Sequence, residues 1–295
     1  MPSLKEVRTR ITSTISTQQI TSAMKMVSAA KLKRAQDAIL QLRPYAQKLK
    51  EILENVTSSV EASAGGAYAQ ERPVKNVLLI TITSNRGLCG AFNSNVIKTA
   101  NRLIREDYKG AKVSVLSIGK KAADYFRKTE YGIHGSDLPR GLNEVFDNLS
   151  FEKTSPVAEA IMKRFREGQF DKVELIYNQF KNAASQVLTV EQFLPVAKSE
   201  QTKSTKKTSI DYIFEPSQEE IVKDLIPNAL KTQLYKAVRD SFASEHGARM
   251  TAMHKATDNA QEILRDLRLT YNKARQASIT KEILEIVGGA EALKN

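Results

Sequence analysis

The sequence predicts an α/β domain set into a long antiparallel two-helix coiled coil. Both ends of the chain run for long stretches almost without Gly or Pro, both carry apolar stripes at helical spacing, and the middle alternates strand-like and helix-like segments. Gly and Pro are the strongest breakers of regular structure, so their absence over such lengths points to long helices. Neither occurs from Ser3 to Arg43, and Gly247 alone occurs from Asn228 to Val287. The expected division is an N-terminal shaft helix over 1–72, an inserted Rossmann-like α/β domain over 73–209, and a C-terminal shaft helix over 210–295 paired with the first.

In the first helix, Leu32, Ala35, Ile39, Leu42, Ala46, Leu49, Leu53 and Val56 alternate spacings of three and four, as a heptad seam does. Leu4, Val7 and Ile11, then Ile20, Met24 and Val27, keep that spacing with a phase slip between blocks. Pro44 is expected to bend the helix. In the last helix, Leu230, Leu234, Val238 and Phe242 form one stripe. Ala248, Ala252, Ala256 and Ala260 follow at every fourth residue, and Ile263, Leu267, Ala274 and Ile283 resume a larger stripe. Small residues let a second helix come close, and Ser28, Ala29, Ala30 and Ala35 match them on the first helix. At ~1.5 Å per residue the helices run ~85 Å and ~105 Å, so the last overhangs the N-terminus by ~20 Å.

The middle reads strand at Val77–Ile82, helix at Asn93–Tyr108, strand at Val113–Ile118, helix at Val157–Arg166 and strand at Val173–Tyr177. That order implies a parallel sheet with right-handed crossovers. Ser199 to Ser209 reads as a polar loop.

Among 295 residues, 45 Lys and Arg stand against 33 Asp and Glu, a formal charge of +12, which favours acidic partners or an anionic surface. The single cysteine, Cys89, excludes a disulfide framework and argues against structural zinc. No apolar run approaches the roughly 18–20 residues that cross a bilayer, and Met1 to Lys5 gives no sign of export, so an intracellular protein is expected. Trp is absent, which disfavours stacking surfaces for single-stranded nucleic acid. Lys25, Lys31, Lys33, Arg34 and Arg43 are open to three readings: phosphate contacts, contacts to acidic protein loops, or a solvated face. A basic coiled-coil scaffold or nucleic-acid-binding protein is thus the alternative function.

Catalytic readings find little. The loop Thr83 to Gly90 is neither G-x-G-x-x-G nor G-x-x-x-x-G-K-[ST], and Gly119-Lys120-Lys121 is no phosphate loop. Cys89 with His134 matches no nucleophile signature. His246 and His254 stand eight apart, about 12 Å along a helix, too far to share one metal ion, and are expected at the surface or facing a partner. No cofactor, metal or catalytic residue is expected. The end of the last helix is unusual: Ala277, Ile279, Ile283, Leu284, Ile286, Val287, Ala290 and Leu293, with Gly288-Gly289, crowd an overhang. An exposed end this apolar invites aggregation, so it is expected to sit in an apolar socket of a partner.

Four ordered blocks carry a family likeness. They are Ile20 to Leu32 (ITSAMKMVSAAKL), Arg86 to Gly90 (RGLCG) with Asn93, Ser244 to Ala260 (SEHGARMTAMHKATDNA), and Tyr271 to Thr280 (YNKARQASIT). Through them the chain resembles the gamma subunit of the F-type ATP synthase along nearly its whole length. The resemblance implies one copy of a non-catalytic rotor shaft per complex. Its coil would enter the hexamer of alpha and beta subunits, and its α/β domain, with the epsilon subunit, would stand on the c-ring. Proton flow would turn the ring and drive the beta subunits through their states, in synthesis or reversed in hydrolysis, with ATPase activity and proton flow regulated through the shaft. It further implies that Arg275, Gln276 and Thr280 meet a polar catch on the hexamer, and that Met24, Lys25 and Lys31 face the acidic lever of beta. Ile279, Ile283, Leu284 and Val287 would form the bearing tip, and Tyr212 and Glu215 would lie near the c-ring and epsilon. Asn85 stands where many relatives carry Asp, and no cysteine-bearing insertion of the plant type is present. With no transit peptide ahead of the first helix, a bacterial chain peripheral to the cytoplasmic face of the inner membrane is expected.

Overall fold

The computed structural model describes residues 3–59, 68–133, 138–139, 141–196 and 218–292. His134, the 199–209 loop, Tyr212, Glu215 and Leu293 lie outside the described residues. The chain begins with α1, Leu4–Ser59, which runs through Pro44 without ending. The α/β elements follow: β1 (Asn76–Ile82), α2 (Phe92–Arg105), β2 (Lys112–Ile118), α3 (Lys120–Phe126), α4 (Phe151–Arg166), β3 (Lys172–Phe180) and β4 (Gln186–Leu194). A short 3-10 helix at Leu142–Phe146 precedes α4, and α5 (Gln218–Ala292) closes the chain. The chain forms two compact units, Ala30–Ala248 and Met1–Ala29 with Arg249–Asn295.

The first, the α/β unit, holds a four-stranded sheet in the order β2-β1-β3-β4. β1 pairs in parallel with β2 (Val77 opposite Val113) and with β3 (Thr81 opposite Ile176). The all-parallel expectation fails at one edge, because β4 returns antiparallel to β3 with Tyr177 opposite Thr189. Alternate residues of a strand face opposite sides of the sheet, and β1 shows it. Leu78, Ile80 and Ile82 join Val157, Ile161 and Phe165 of α4 and Leu230, Leu234 and Val238 of α5 in one core. Val77 and Leu79 join Val96, Ala100 and Leu103 of α2 and Phe126 of α3 in another. Both faces are covered, which is why β1 is apolar at every position from Val77 to Ile82 except Thr81. Gly119 sits at φ +106°, where an added Cβ would lie 2.0 Å from the Thr83 carbonyl oxygen, so the crossing from β2 into α3 requires glycine.

The second, the coil unit, pairs the start of α1 with the end of α5. Arg8 donates to the Tyr271 hydroxyl at 3.4 Å, Thr257 to the Thr21 hydroxyl at 2.8 Å, and Lys25 Nζ lies 3.3 Å from His254 Nδ1. In each pair the residue numbers add to 278 or 279, the mark of an antiparallel register without slippage.

The burial pattern of α1 corrects the expected phase slip. Positions 4, 7, 11, 14, 18, 21, 25 and 28 are all buried or half-buried, and so are 32, 35, 39, 42, 46 and 49. The three-four alternation is unbroken; Thr14, Gln18, Thr21, Lys25 and Ser28 fill its middle. Ile20 and Val27, expected in the seam, are exposed, as is Ile263 on α5, whose neighbour Leu264 is buried instead.

Candidate partner-contact surfaces

The coil unit presents a narrow seam and a broad exposed surface. Met24 and Lys25 are half-buried and Lys25 Nζ approaches His254 Nδ1, so the Lys25 ammonium is held beside α5. His254 is itself exposed and lies 3.4 Å from Asp258 one turn on. Lys31, in the α/β unit, is exposed.

The register fixes where α5 loses its partner. Ser3 stands level with residue 275 or 276, so the seventeen residues from 276 to 292 continue alone for about 25 Å. Arg275 and Gln276 are exposed at that point, and Thr280 donates to the Gln276 carbonyl at 2.9 Å. Beyond them every residue from 279 to 290 is exposed, with Leu284 at 65% and Ile286 at 71%. The helix does not turn back to cover them. Ile279, Ile283, Leu284 and Val287 therefore offer apolar side chains to water on a single helix.

In the α/β unit the loop after β1 is filled by its own side chains. The Ser84 hydroxyl donates to the Arg86 carbonyl at 2.6 Å, the Ser84 amide donates to Asn93 Oδ1, and Asn93 Nδ2 reaches the buried Cys89 sulfur at 3.2 Å. Asn85 uses both ends of its amide: Nδ2 donates to the Asn143 carbonyl at 2.8 Å and Oδ1 accepts from the Lys120 amide at 3.1 Å. A carboxylate in its place would lack the donor, so asparagine suits this loop. Among the described residues no group of His, Cys, Asp and Glu is placed to hold a metal ion. His246 corrects the expectation of a surface histidine: it is 5% exposed, with its ring edge-on to Phe242 at 4.5 Å.

A second polar construction ties the helices to the sheet. Arg43 of α1 donates through Nη2 to the Phe180 carbonyl at 2.6 Å and to Asp240 Oδ1 of α5 at 3.1 Å. Asp240 is fully buried; burial pushes its carboxyl upward and the Arg43 charge opposes that. Tyr177 of β3 donates to Glu191 of β4 at 2.7 Å, and Gln233 of α5 donates to the other oxygen of Glu191 at 2.8 Å. Burial first, and Glu191 next, drive the Tyr177 phenol far above its ordinary value. The sequence leaves Arg43 open to phosphate, acidic-loop or solvated readings and gives no clear signal for Asp240, which follows Arg239 in a mixed polar and apolar stretch of the last helix.

Residues 3–293 match the sequence model of the family described as ATP synthase. The ATP synthase gamma chain of Flavobacterium johnsoniae is 62% identical over 99% of both chains, and that of Christiangramia forsetii 58% identical over 99% of both. This chain belongs to the ATP synthase gamma chain family. Members of that family are subunits of the complex without catalytic sites of their own. The central stalk and c-ring structure of the Tetrahymena thermophila mitochondrial ATP synthase matches at 26% identity and a TM-score of 0.58, over 80% of this chain and 99% of that one. A chain of the Euglena gracilis mitochondrial ATP synthase (OSCP, F1 and c-ring, rotational state 3) shares the fold at a TM-score of 0.66 and 22% identity, over 98% of this chain and 94% of that one. The basic scaffold and nucleic-acid reading finds no support among these relatives. No helix among the described residues is long and apolar enough to cross a membrane, and gamma chains are peripheral members of a membrane-bound complex.

Proposed function

We propose that this chain is the central rotor shaft of an F-type ATP synthase, passing torque between a proton-driven c-ring and the catalytic beta subunits. The observation that carries the reading is the apolar end of α5, whose large side chains stand in water unless a partner covers them. The working division is a shaft of 1–72 with 210–295, and an α/β foot of 73–209. Ile279, Ile283, Leu284 and Val287 form the bearing within the hexamer of alpha and beta subunits. Arg275, Gln276 and Thr280, at the point where α5 leaves α1, meet the hexamer's catch. Met24, Lys25 and Lys31 face the acidic lever of beta. Charge contacts made by Lys31 and the half-buried Lys25 are modest and screened by salt, which suits a contact that must release at every step. Tyr212 and Glu215, in the segment that follows the foot, contact the c-ring and the epsilon subunit. The complex lies at the cytoplasmic face of a bacterial inner membrane.

The test is reconstitution with the cognate alpha and beta subunits, with and without residues 275–295. The full chain is expected to assemble and to support ATP hydrolysis, while truncation weakens assembly or slows turnover several-fold. A chain that neither joins the hexamer nor changes its ATPase overturns the reading.

A further inference from the structure

Two residues at the tip of the β3–β4 hairpin grip two different helices. The hairpin joins Phe180 to Gln186 through five residues. On one side the Phe180 carbonyl takes Arg43 of α1, and the same guanidinium nitrogen bonds Asp240 of α5. On the other side Gly247, two turns further along α5, meets the Ala183 carbonyl so closely that a Cβ would lie 2.9 Å from its oxygen. The turn itself is braced. Asn182 Oδ1 accepts from the Ala184 amide at 3.0 Å, the Ser185 amide at 2.7 Å and the Ser185 hydroxyl at 2.9 Å. Its strands are anchored below by Tyr177, Glu191 and Gln233.

Given the rotor role, we infer that this hairpin tip is the jaw through which the α/β domain holds α1 and α5 against twist. Arg43 and Asp240 are its positioning residues and Asn182 its stiffener. The hydrophobic driving force of the core beneath is non-directional, so it fixes the rotation of a helix about its axis less sharply than directional bonds do. Hydrogen bonds are directional, and those between ionised groups are the stronger ones. A single nitrogen bonded to a strand carbonyl and to a buried carboxylate resists rotation of either helix relative to the sheet. Gly247 removes the side chain that would hold α5 off the turn.

The jaw matters only under load, and that separates it from a purely structural role. The experiment reconstitutes the complete complex, c-ring included, in vesicles with the unaltered chain, Arg43→Gln, Arg43→Lys and Asn182→Ala. It compares ring-coupled ATP synthesis with the ATP hydrolysis of the alpha, beta and gamma subcomplex, which turns without load. Arg43→Gln is expected to leave unloaded hydrolysis within twofold and to lower loaded synthesis at least threefold. Arg43→Lys, which keeps the charge and one nitrogen, recovers part of the loss. Asn182 is exposed, so Asn182→Ala spares the core and gives a smaller loss of the same kind. An unchanged ratio of synthesis to hydrolysis in both Arg43→Gln and Asn182→Ala overturns the jaw and leaves the rotor reading intact. A parallel fall in assembly, unloaded hydrolysis and synthesis overturns it too, by showing a merely structural role. Failure of the unaltered chain to couple hydrolysis to the ring overturns the rotor reading itself.

Discussion

The α/β unit and the coil unit are built from the same kinds of helix and bury different things. The α/β unit encloses large apolar side chains completely: Ile80, Ile161, Phe165 and Leu234 have no exposed surface. The coil unit buries a thin line of mixed chemistry, with Val7, Thr21, Ser28, Met253, Ala260 and Leu264 along one seam. Hydrophobic burial scales with area, so the first is held by its own core and the second is held weakly by itself. A long helix gains most of its stability from tertiary packing of one face, and a two-helix seam offers little. The difference teaches where a partner is required. The α/β unit encloses a core of its own, while the coil unit exposes on α5 apolar surface that a globular domain would have covered.

The largest effects test that contrast directly. Phe165→Ala empties a fully buried ring site between α4 and the sheet and is expected to lower unfolding free energy by about 3–5 kcal/mol. Leu284→Ala at the exposed end of α5 is expected to change it by less than about 0.5 kcal/mol. Urea denaturation of the isolated chain, followed by circular dichroism, compares them. Similar losses would break the comparison, because they would mean that the α5 end packs against its own chain in solution.

A middle-sized effect asks whether the two units stand alone. Leu264→Ala removes a buried seam residue and is expected to cost about 2 kcal/mol, at the low end for such a truncation because a two-helix seam can relax. Amide exchange should then speed up along α1 before Ala29 and along α5 beyond Arg249, while β1, β3 and α4 keep their protection. Loss of protection in the sheet would show one cooperative unit in place of two.

How far these regions could be read from sequence also differs. β1 was legible because Val77 to Ile82 is apolar at every position but Thr81, as suits a strand buried on both faces. β4 was not: its burial is partial along Gln186 to Glu191, and only Phe193 and Leu194 are deeply buried, so it lacks a continuous apolar run. α3 and the 3-10 helix are too short to show a period. The seam of α1 was half legible. Its lower part is Leu, Ala and Ile, but Thr14, Gln18, Thr21, Lys25 and Ser28 occupy seam positions that a search for apolar residues skips. The nearby exposed Ile20 and Val27 then supplied a false phase. His246 was misjudged because polarity was read as exposure, whereas α5 is enclosed on several sides there, with Ser241, Ala243, Ser244 and His246 all buried. The apolar end of α5 was the clearest signal, since nothing else in the sequence places so many large apolar residues beyond the end of a partner helix.

Within the α/β unit, titration sharpens the account of burial. Tyr108 is buried beside Lys172 and Glu174, and burial, then the hydrogen bond it donates to Glu174, pushes its phenol up to about 12. The folded value exceeds the ordinary 10, so the neutral phenol favours the folded state. Its contribution is complete below pH 10 and is lost as pH rises through about 12. Phenolate absorbance of the folded chain should show a late step near pH 12 that Tyr108→Phe removes. A substitution that instead removes absorbance near pH 10 would place Tyr108 in water, contrary to its contact with the Lys172 ammonium 5.3 Å above its ring.

The smallest expected effect lies in the coil unit and concerns why its first helix is so poor in helix formers. Thr9, Thr12, Thr14, Ser16 and Thr17 each turn a hydroxyl back to the carbonyl four residues earlier, at 2.8 to 3.2 Å. Such back-bonding slightly weakens and bends a helix, and threonine falls below alanine in propensity by up to about 0.7 kcal/mol. Thr12 and Thr17 are exposed, so replacing them by alanine removes no packing. The double substitution Thr12→Ala, Thr17→Ala is expected to stabilise the helix by several tenths of a kcal/mol per site, read as slower amide exchange over residues 9 to 21. Exchange in the α/β unit should not move. A faster exchange would show instead that these hydroxyls hold the start of α1 together. The run of Ser and Thr would then be a stabilising device, and the coil unit would depend on polar bonds where the α/β unit depends on apolar area.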